Sequence, residues 1–179
     1  FPLGEEQFAE MKNRLREAKR FIFIEYFIIA PGKMWNEFLE ILIERARAGV
    51  EVRLMYDGFG TKFFSTGDFL KIAKQHHIQC RCFNPFRPLL SSAQNNRDHR
   101  KILVIDGNIA FNGGTNLADE YINEKVRFGH WKDTAIMLEG AAVWSYTMMF
   151  LQLWNMNNPN KKEAYNQYRP TYLPKQTNG

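Results

Sequence analysis

Apolar residues along this chain recur with two different periods. Over residues 5–19, Phe8, Met11, Leu15 and Ala18 fall at three- and four-residue spacing, which predicts an amphipathic helix. Residues 21–29 (FIFIEYFII) are β-branched and aromatic and predict a buried strand, stopped by Pro31-Gly32. A second amphipathic helix is predicted over 34–48, with Gly49 as its stop, and a strand over 50–56 that ends at Asp57-Gly58. A short helix over 67–75 and a strand over 78–83 follow, then a Pro- and Ser-containing loop over 84–97. Two strands, 99–105 and 109–112, flank Asp106-Gly107, a strong tight-turn signal. A further strand is predicted over 131–138 and a helix over 141–155. The order β-α-β-α-β followed by a hairpin predicts an α/β domain: a mixed sheet with helices on both faces.

The pattern stops abruptly after residue 156. Residues 157–179 are polar and carry Pro159, Pro170 and Pro174, so a domain over 1–156 and a linker or tail over 157–179 are expected. No internal repeat is visible. A length of 179 residues suits one domain, and a 45% hydrophobic, 24% charged composition argues against disorder. The aromatic fraction of 15%, with 15 Phe, fits a thick core or a lipid-facing surface. A formal charge of +5 favours anionic partners: phosphate groups, nucleic acid or an acidic bilayer. Cys80 and Cys82 are too few and too close for a disulfide framework or a zinc site, and are expected to be reduced packing residues of an intracellular domain. The most apolar run, 21–30, is too short to cross a bilayer and contains Glu25. The chain starts at Phe1 rather than methionine, which suggests a piece of a longer protein, with any anchor outside it.

Chemistry concentrates in residues 95–107 (NNRDHRKILVIDG). His99 and Lys101 are two apart on a predicted strand, so they project from one face at its polar end. Asp106 has the opposite parity and sits in the turn, where a structural role is the more natural one. The next arm ends in Gly113-Gly114-Thr115-Asn116. Glycines there let the backbone approach a ligand and offer N–H groups to anionic oxygens, and Asn116 adds an amide donor. A lone His-x-Lys or Gly-Gly is background in most proteins. Together on one hairpin they supply an imidazole, a fixed ammonium and amide donors, which is what phosphoryl chemistry requires at the non-bridging oxygens.

His-x-Lys-x4-Asp followed by Gly-Gly-x-Asn resembles the signature of the phospholipase D superfamily. The segments 21–29 (FIFIEYFII), 55–60 (MYDGFG), 95–107, 116–123 (NLADEYIN) and 130–134 (HWKDT) are similar to the first catalytic half of bacterial cardiolipin synthases, over roughly residues 1–155. The resemblance implies a phospholipase D-like mixed sheet forming one half of a two-motif catalytic unit. It implies His99 as the nucleophile that forms a phosphohistidine, with Lys101, Gly114 and Asn116 on the phosphoryl oxygens. Asp133 would accept a hydrogen bond from His99, so that His99, Lys101, Asp106 and Asp133 make up the catalytic set. Glu25 matches an acid on an early strand. Either it lines the pocket or it is held in a structural pair, because an acid in so apolar a strand is costly unless partnered.

The implied activity is transfer of a phosphatidyl group between two phosphatidylglycerol molecules, releasing glycerol, with no cofactor and no metal. The implied partners are anionic phospholipid, the membrane surface and a second His-x-Lys half, from the same polypeptide or another subunit; nucleic acid is disfavoured. The implied location is the cytoplasmic face of the bacterial membrane, with the fragment itself soluble. One departure stands out: the chain holds a single His-x-Lys motif. His76 and His77 lack a following lysine at the right spacing and are expected at the surface, and His130 is expected to pack beside Trp131, with a site-edge role near Asp133 as the alternative. The competing readings are a homodimeric nuclease or phospholipid hydrolase of the same superfamily, and a noncatalytic membrane-docking module when the piece is isolated.

Overall fold

A computed structural model describes residues 1–61, 66–85, 95–156 and 163–171. Strands β1 (Phe21–Tyr26), β2 (Glu51–Asp57), β3 (Gln79–Phe83), β4 (Lys101–Ile105), β5 (Ile109–Gly113) and β6 (Ala135–Glu139) form one sheet in the order β3-β2-β1-β4-β5-β6. β1, β2 and β3 run parallel, and β4, β5 and β6 join antiparallel, so the sheet is mixed as the pattern predicted. Every residue of β1 and β4 is buried, as suits neighbouring central strands.

The two sheet faces carry separate cores. Ile22, Ile24, Val52, Leu54, Leu103 and Phe111 meet helices α1 (Gly4–Arg16), α2 (Lys33–Arg47) and α3 (Thr66–Gln75). Phe21, Phe23, Met55, Ile102 and Val104 meet α4 (Val143–Asn155). The stack of Phe23 on Phe150, 4.6 Å between ring centroids, anchors α4 to the sheet. α2 is capped from a distance: Asp119 accepts from the backbone N–H of Lys33 and Met34 at 3.1 and 2.9 Å, so its carboxylate offsets the positive end of the helix.

Three expectations change. The predicted strand at 131–138 is shorter: residues 131–134 are irregular, and pairing begins at Ala135. His99 precedes β4 rather than lying on it. The segment expected to be a tail is in part a packed element. Residues 157–162 and 172–179 lie outside the described residues, as does 86–94 of the predicted loop, but residues 163–171 dock on the α4 face. There Tyr168 is buried and meets Phe21 and Phe23 edge-on, each at 5.1 Å. Glu163 pairs with the buried Arg53 at 2.5 Å. Cys80 and Cys82 are free thiols packed on the α1–α3 side, and burial pushes the Cys80 thiol up to about 12, which leaves it inert.

Candidate active site

β1 and β2 end, β4 and β6 begin, and β5 ends at one edge of the sheet, and the candidate residues gather there. Tyr26 of β1 is the partner of Lys101 in the register. Lys101 is buried, 4% exposed, and its Nζ donates to the His99 carbonyl at 2.7 Å while lying 3.1 Å from Nδ1 of the same residue. The Phe27 ring closes the other side, 4.6 Å from the imidazole centroid and 5.4 Å from Nζ. His99 itself is exposed, so a substrate can reach its imidazole.

Burial lowers the Lys101 ammonium to about 8, against the opposing pull of Asp98 and Asp133. Partial burial and then the Lys101 charge hold His99 below its ordinary value. Near neutral pH the pair is therefore a neutral imidazole beside an ammonium. That is the protonation state a nitrogen nucleophile needs, with a cation ready for phosphoryl oxygens.

The segment that carries His99 is fixed from below. Asp57, fully buried, accepts from the N–H of Phe59 and Gly60 at 2.7 and 3.0 Å, and from the N–H of Asp98 at 3.1 Å. Asp98 in turn accepts from Arg100 Nε at 3.0 Å. Phe27, Asp57 and Asp98 were not singled out from the sequence. The sequence marks Asp57 as a strand end and as part of the family-like segment 55–60, without linking it to Asp98.

Glu25 lies on the opposite sheet face from Lys101. It pairs in register with Ile102, and its Oε1 lies 2.6 Å from Arg100 Nε. Burial, and then the neighbouring Asp98 charge, push its carboxyl up to about 9, so it is a neutral acid. The geometry places Glu25 beside Arg100 and within the field of Asp98, on the sheet face opposite Lys101.

Asp106 is far from the site. It closes the β4–β5 hairpin at the other end of β4, about 17 Å along the strand from Lys101. Its carboxylate accepts from the N–H of Lys19, Arg20 and Phe21 at 2.8, 2.7 and 3.0 Å. The structural role argued from parity is the one observed, and the motif's aspartate is not brought to His99.

The Gly114 N–H is donated to the Thr134 carbonyl at 3.2 Å, so it is not presented to a ligand. Its lack of a side chain has another use, since a Cβ there would lie 2.0 Å from Asp133 Oδ1. The Asn116 amide is engaged within the chain too: Oδ1 accepts from Ile28 N–H at 2.9 Å and Nδ2 donates to Tyr121 Oη at 2.8 Å. Asp133 accepts from Thr134 N–H at 2.8 Å and from Trp131 Nε1 at 3.4 Å, and no hydrogen bond joins it to His99. It acts on the site through its charge on Lys101.

A family model described as the phospholipase D-like domain of cardiolipin synthase matches residues 11–154. The chain belongs to that family. It is 40% identical over 152 residues to cardiolipin synthase 2 of Bacillus cereus, covering 84% of this chain and 29% of that protein. Cardiolipin synthase of Halalkalibacterium halodurans is 38% identical over 152 residues, with 84% and 30% covered. An uncharacterized protein of Streptococcus mutans is 54% identical over 164 residues, with 92% and 36% covered. The chain thus spans about a third of the length of these curated relatives.

Among solved structures, the phospholipase D family member Nuc of Salmonella typhimurium superposes with a TM-score of 0.62 at 16% identity, covering 82% of this chain and 86% of that one. NucT of Helicobacter pylori gives 0.63 at 12% identity, with 85% and 89% covered. Both share the phospholipase D fold. Within it, this chain has an exposed His99 and a buried Lys101 at one end of the sheet and the half-buried Asp106 in the hairpin turn at the other. Among the described residues no group of three or more His, Cys, Asp or Glu is arranged to hold a metal ion.

Proposed function

We propose that this chain is the catalytic half of a phosphatidyltransferase of the cardiolipin synthase type. The observation that carries the reading is the pairing of an exposed, neutral His99 with a buried Lys101 ammonium 3.1 Å away. A His99 ring nitrogen attacks the phosphorus of phosphatidylglycerol. The bond from phosphorus to the headgroup glycerol oxygen breaks, and a phosphohistidine forms. Glycerol leaves with a proton supplied by the imidazole of a second half. That imidazole then takes the proton from a hydroxyl of a second phosphatidylglycerol, whose oxygen attacks phosphorus and releases His99.

Lys101 neutralises the phosphoryl oxygens throughout, while Asp133 and Asp98 hold it in place electrostatically. Asn116 and Gly114 act by building the loop that presents Asp133. The site is half of a unit, and its partner half comes from elsewhere in a longer polypeptide or from a second subunit. The phosphodiester energy is carried in the phosphorus–nitrogen bond, so the route needs neither nucleotide nor metal.

The test is to supply phosphatidylglycerol labelled in its phosphatidyl part to the complete enzyme and quench during turnover. Acid-labile, base-stable label on the protein is expected, and it should vanish in His99→Ala. Protein-bound label that survives that substitution would remove His99 from the mechanism.

A further inference from the structure

The loop between Asn123 and Asp133 borders the site and carries the two most exposed large apolar side chains among the described residues, Val126 at 80% and Phe128 at 76%. It is not a loose end. The Asn123 side chain, on a left-handed residue with φ 56°, accepts from Trp131 N–H at 2.6 Å and donates to the Trp131 carbonyl at 3.0 Å and to Glu5 at 2.8 Å. The loop is thus clasped at its base, and its tip is held out in solvent. Trp131 links tip to site, with its ring 6.3 Å from that of Phe128 and its Nε1 on Asp133.

The charges around the tip are sorted. Glu124 is paired with Lys33, Glu120 with Arg127 at 3.0 Å, and Asp133 accepts from Thr134 N–H and Trp131 Nε1. Among the described residues, Lys125 and Lys132 have no ion-pair partner. Two exposed apolar side chains flanked by unpaired ammonium groups match the interface of an anionic bilayer, where acyl chains lie just beneath phosphate charges. A protein partner would call for a broader apolar core, with the polar groups at its rim paired.

We propose that the 124–132 loop is a docking element for the surface of an anionic phospholipid bilayer, with Val126 and Phe128 entering the acyl boundary and Lys125 and Lys132 resting on phosphates. The proposal rests on a lipid being the substrate, and it deepens that reading. A phospholipid phosphodiester lies at the bilayer–water boundary, so the sheet edge bearing His99 must face the membrane. A loop anchored beside Asp133 at that same edge fixes the distance of approach.

The experiment measures partition of the chain to vesicles of phosphatidylglycerol and of phosphatidylcholine by sedimentation. No turnover is required, so the outcome is separate from that of the labelling assay. Partition to phosphatidylglycerol vesicles is expected to fall at least tenfold in V126S/F128S and several-fold in K125Q/K132Q. It should be unchanged in M156S, which alters an exposed apolar residue at the end of α4. Thermal melts confirm that each variant is folded. In F128W, tryptophan emission is expected to move to the blue on phosphatidylglycerol vesicles and to be quenched by brominated acyl chains. Wild-type partition in V126S/F128S would overturn the proposal. So would an F128W emission that ignores vesicles in a chain whose solution mass doubles and returns to monomer in V126S/F128S, because that pattern assigns the loop to a second protein copy.

Discussion

At the scale of single residues, two protonation states give the site its character. Lys101 remains an ammonium below about pH 8 and loses its charge as the pH rises through that value. If Lys101 neutralises phosphoryl oxygens as proposed, kcat/KM of the complete enzyme should decline above pH 8. In K101R the plateau should be at least 10²-fold lower, the order of one lost electrostatic donor, and the decline should move to higher pH. A pH–rate profile of both proteins checks this, and an unchanged alkaline limb in K101R would detach Lys101 from it. Glu25 works in the opposite sense. Its folded value near 9 lies above its ordinary 4.5, so the folded state holds an extra proton between them. The stability it contributes is complete below about pH 4.5 and is lost as the pH rises through 9, by on the order of a few kcal/mol. Urea unfolding from pH 5 to pH 9 should show that slope, and E25Q should flatten it while leaving the protein folded.

At the scale of elements, the docked segment 163–171 completes the α4 face. Arg53 sits among the rings of Phe23, Trp154 and Tyr168, at 5.3, 5.5 and 5.3 Å, and is ion-paired with Glu51 and Glu163. Burial raises the Glu163 carboxyl, but hydrogen bonds from Arg53 and Asn155 outweigh it and bring the group to about 2. Removing Glu163 leaves Arg53 with Glu51 and the Tyr168 hydroxyl as partners, so E163A should cost about 1.5–3 kcal/mol, the order of a lost hydrogen bond to a charged group. Chemical denaturation at pH 7 measures it, and the loss should shrink as the pH falls from about 4.5 toward 2. The sequence could not show this docking, because the polar character of 157–179 as a whole hides one tyrosine and one glutamate whose partners lie more than a hundred residues away. The short β6 has a similar origin. Residues 131–134 look like strand by composition, yet Trp131 bonds to the Asn123 side chain and the Thr134 N–H to Asp133. By contrast, β1, β4, the Asp106-Gly107 turn and the two amphipathic helices were legible, since local period and turn chemistry determine them. The relation of Glu25 to Lys101 was not. Each faces where its own strand's alternation puts it, but only the register Tyr26–Lys101 shows that these are opposite faces.

At the scale of the whole molecule, the proposed mechanism takes one imidazole from this chain, that of His99, and needs a second for proton transfer. After His99 is bound to phosphorus it can neither protonate glycerol nor activate the entering hydroxyl, and Lys101 is occupied by the phosphoryl oxygens. The 179-residue chain alone should therefore fold without making cardiolipin, unless two copies place two His99 residues across one site. Solution mass combined with a labelled phosphatidylglycerol assay decides it: steady turnover by a clean monomer would contradict the half-site account, and turnover confined to a dimer would show the chain supplying its own second half. In the complete enzyme, excess chelator should leave turnover intact, since Lys101 supplies the charge a metal would otherwise bring; activity lost to chelator and restored by Mg²⁺ or Zn²⁺ would refute that.

The Asn123 clasp also bears on how the chain breaks. Lys125 and Arg127 stand in solvent within a closed loop whose two ends are tied to each other. Trypsin should cut there early, and the cut should not scatter the pieces. After the cut β6 stays paired with β5 at the edge of the sheet and α4 stays packed on its face. The nicked protein should elute as one species from a sizing column and separate into two fragments only in denaturant. The domain could then be assembled from two separately made polypeptides that meet at this loop.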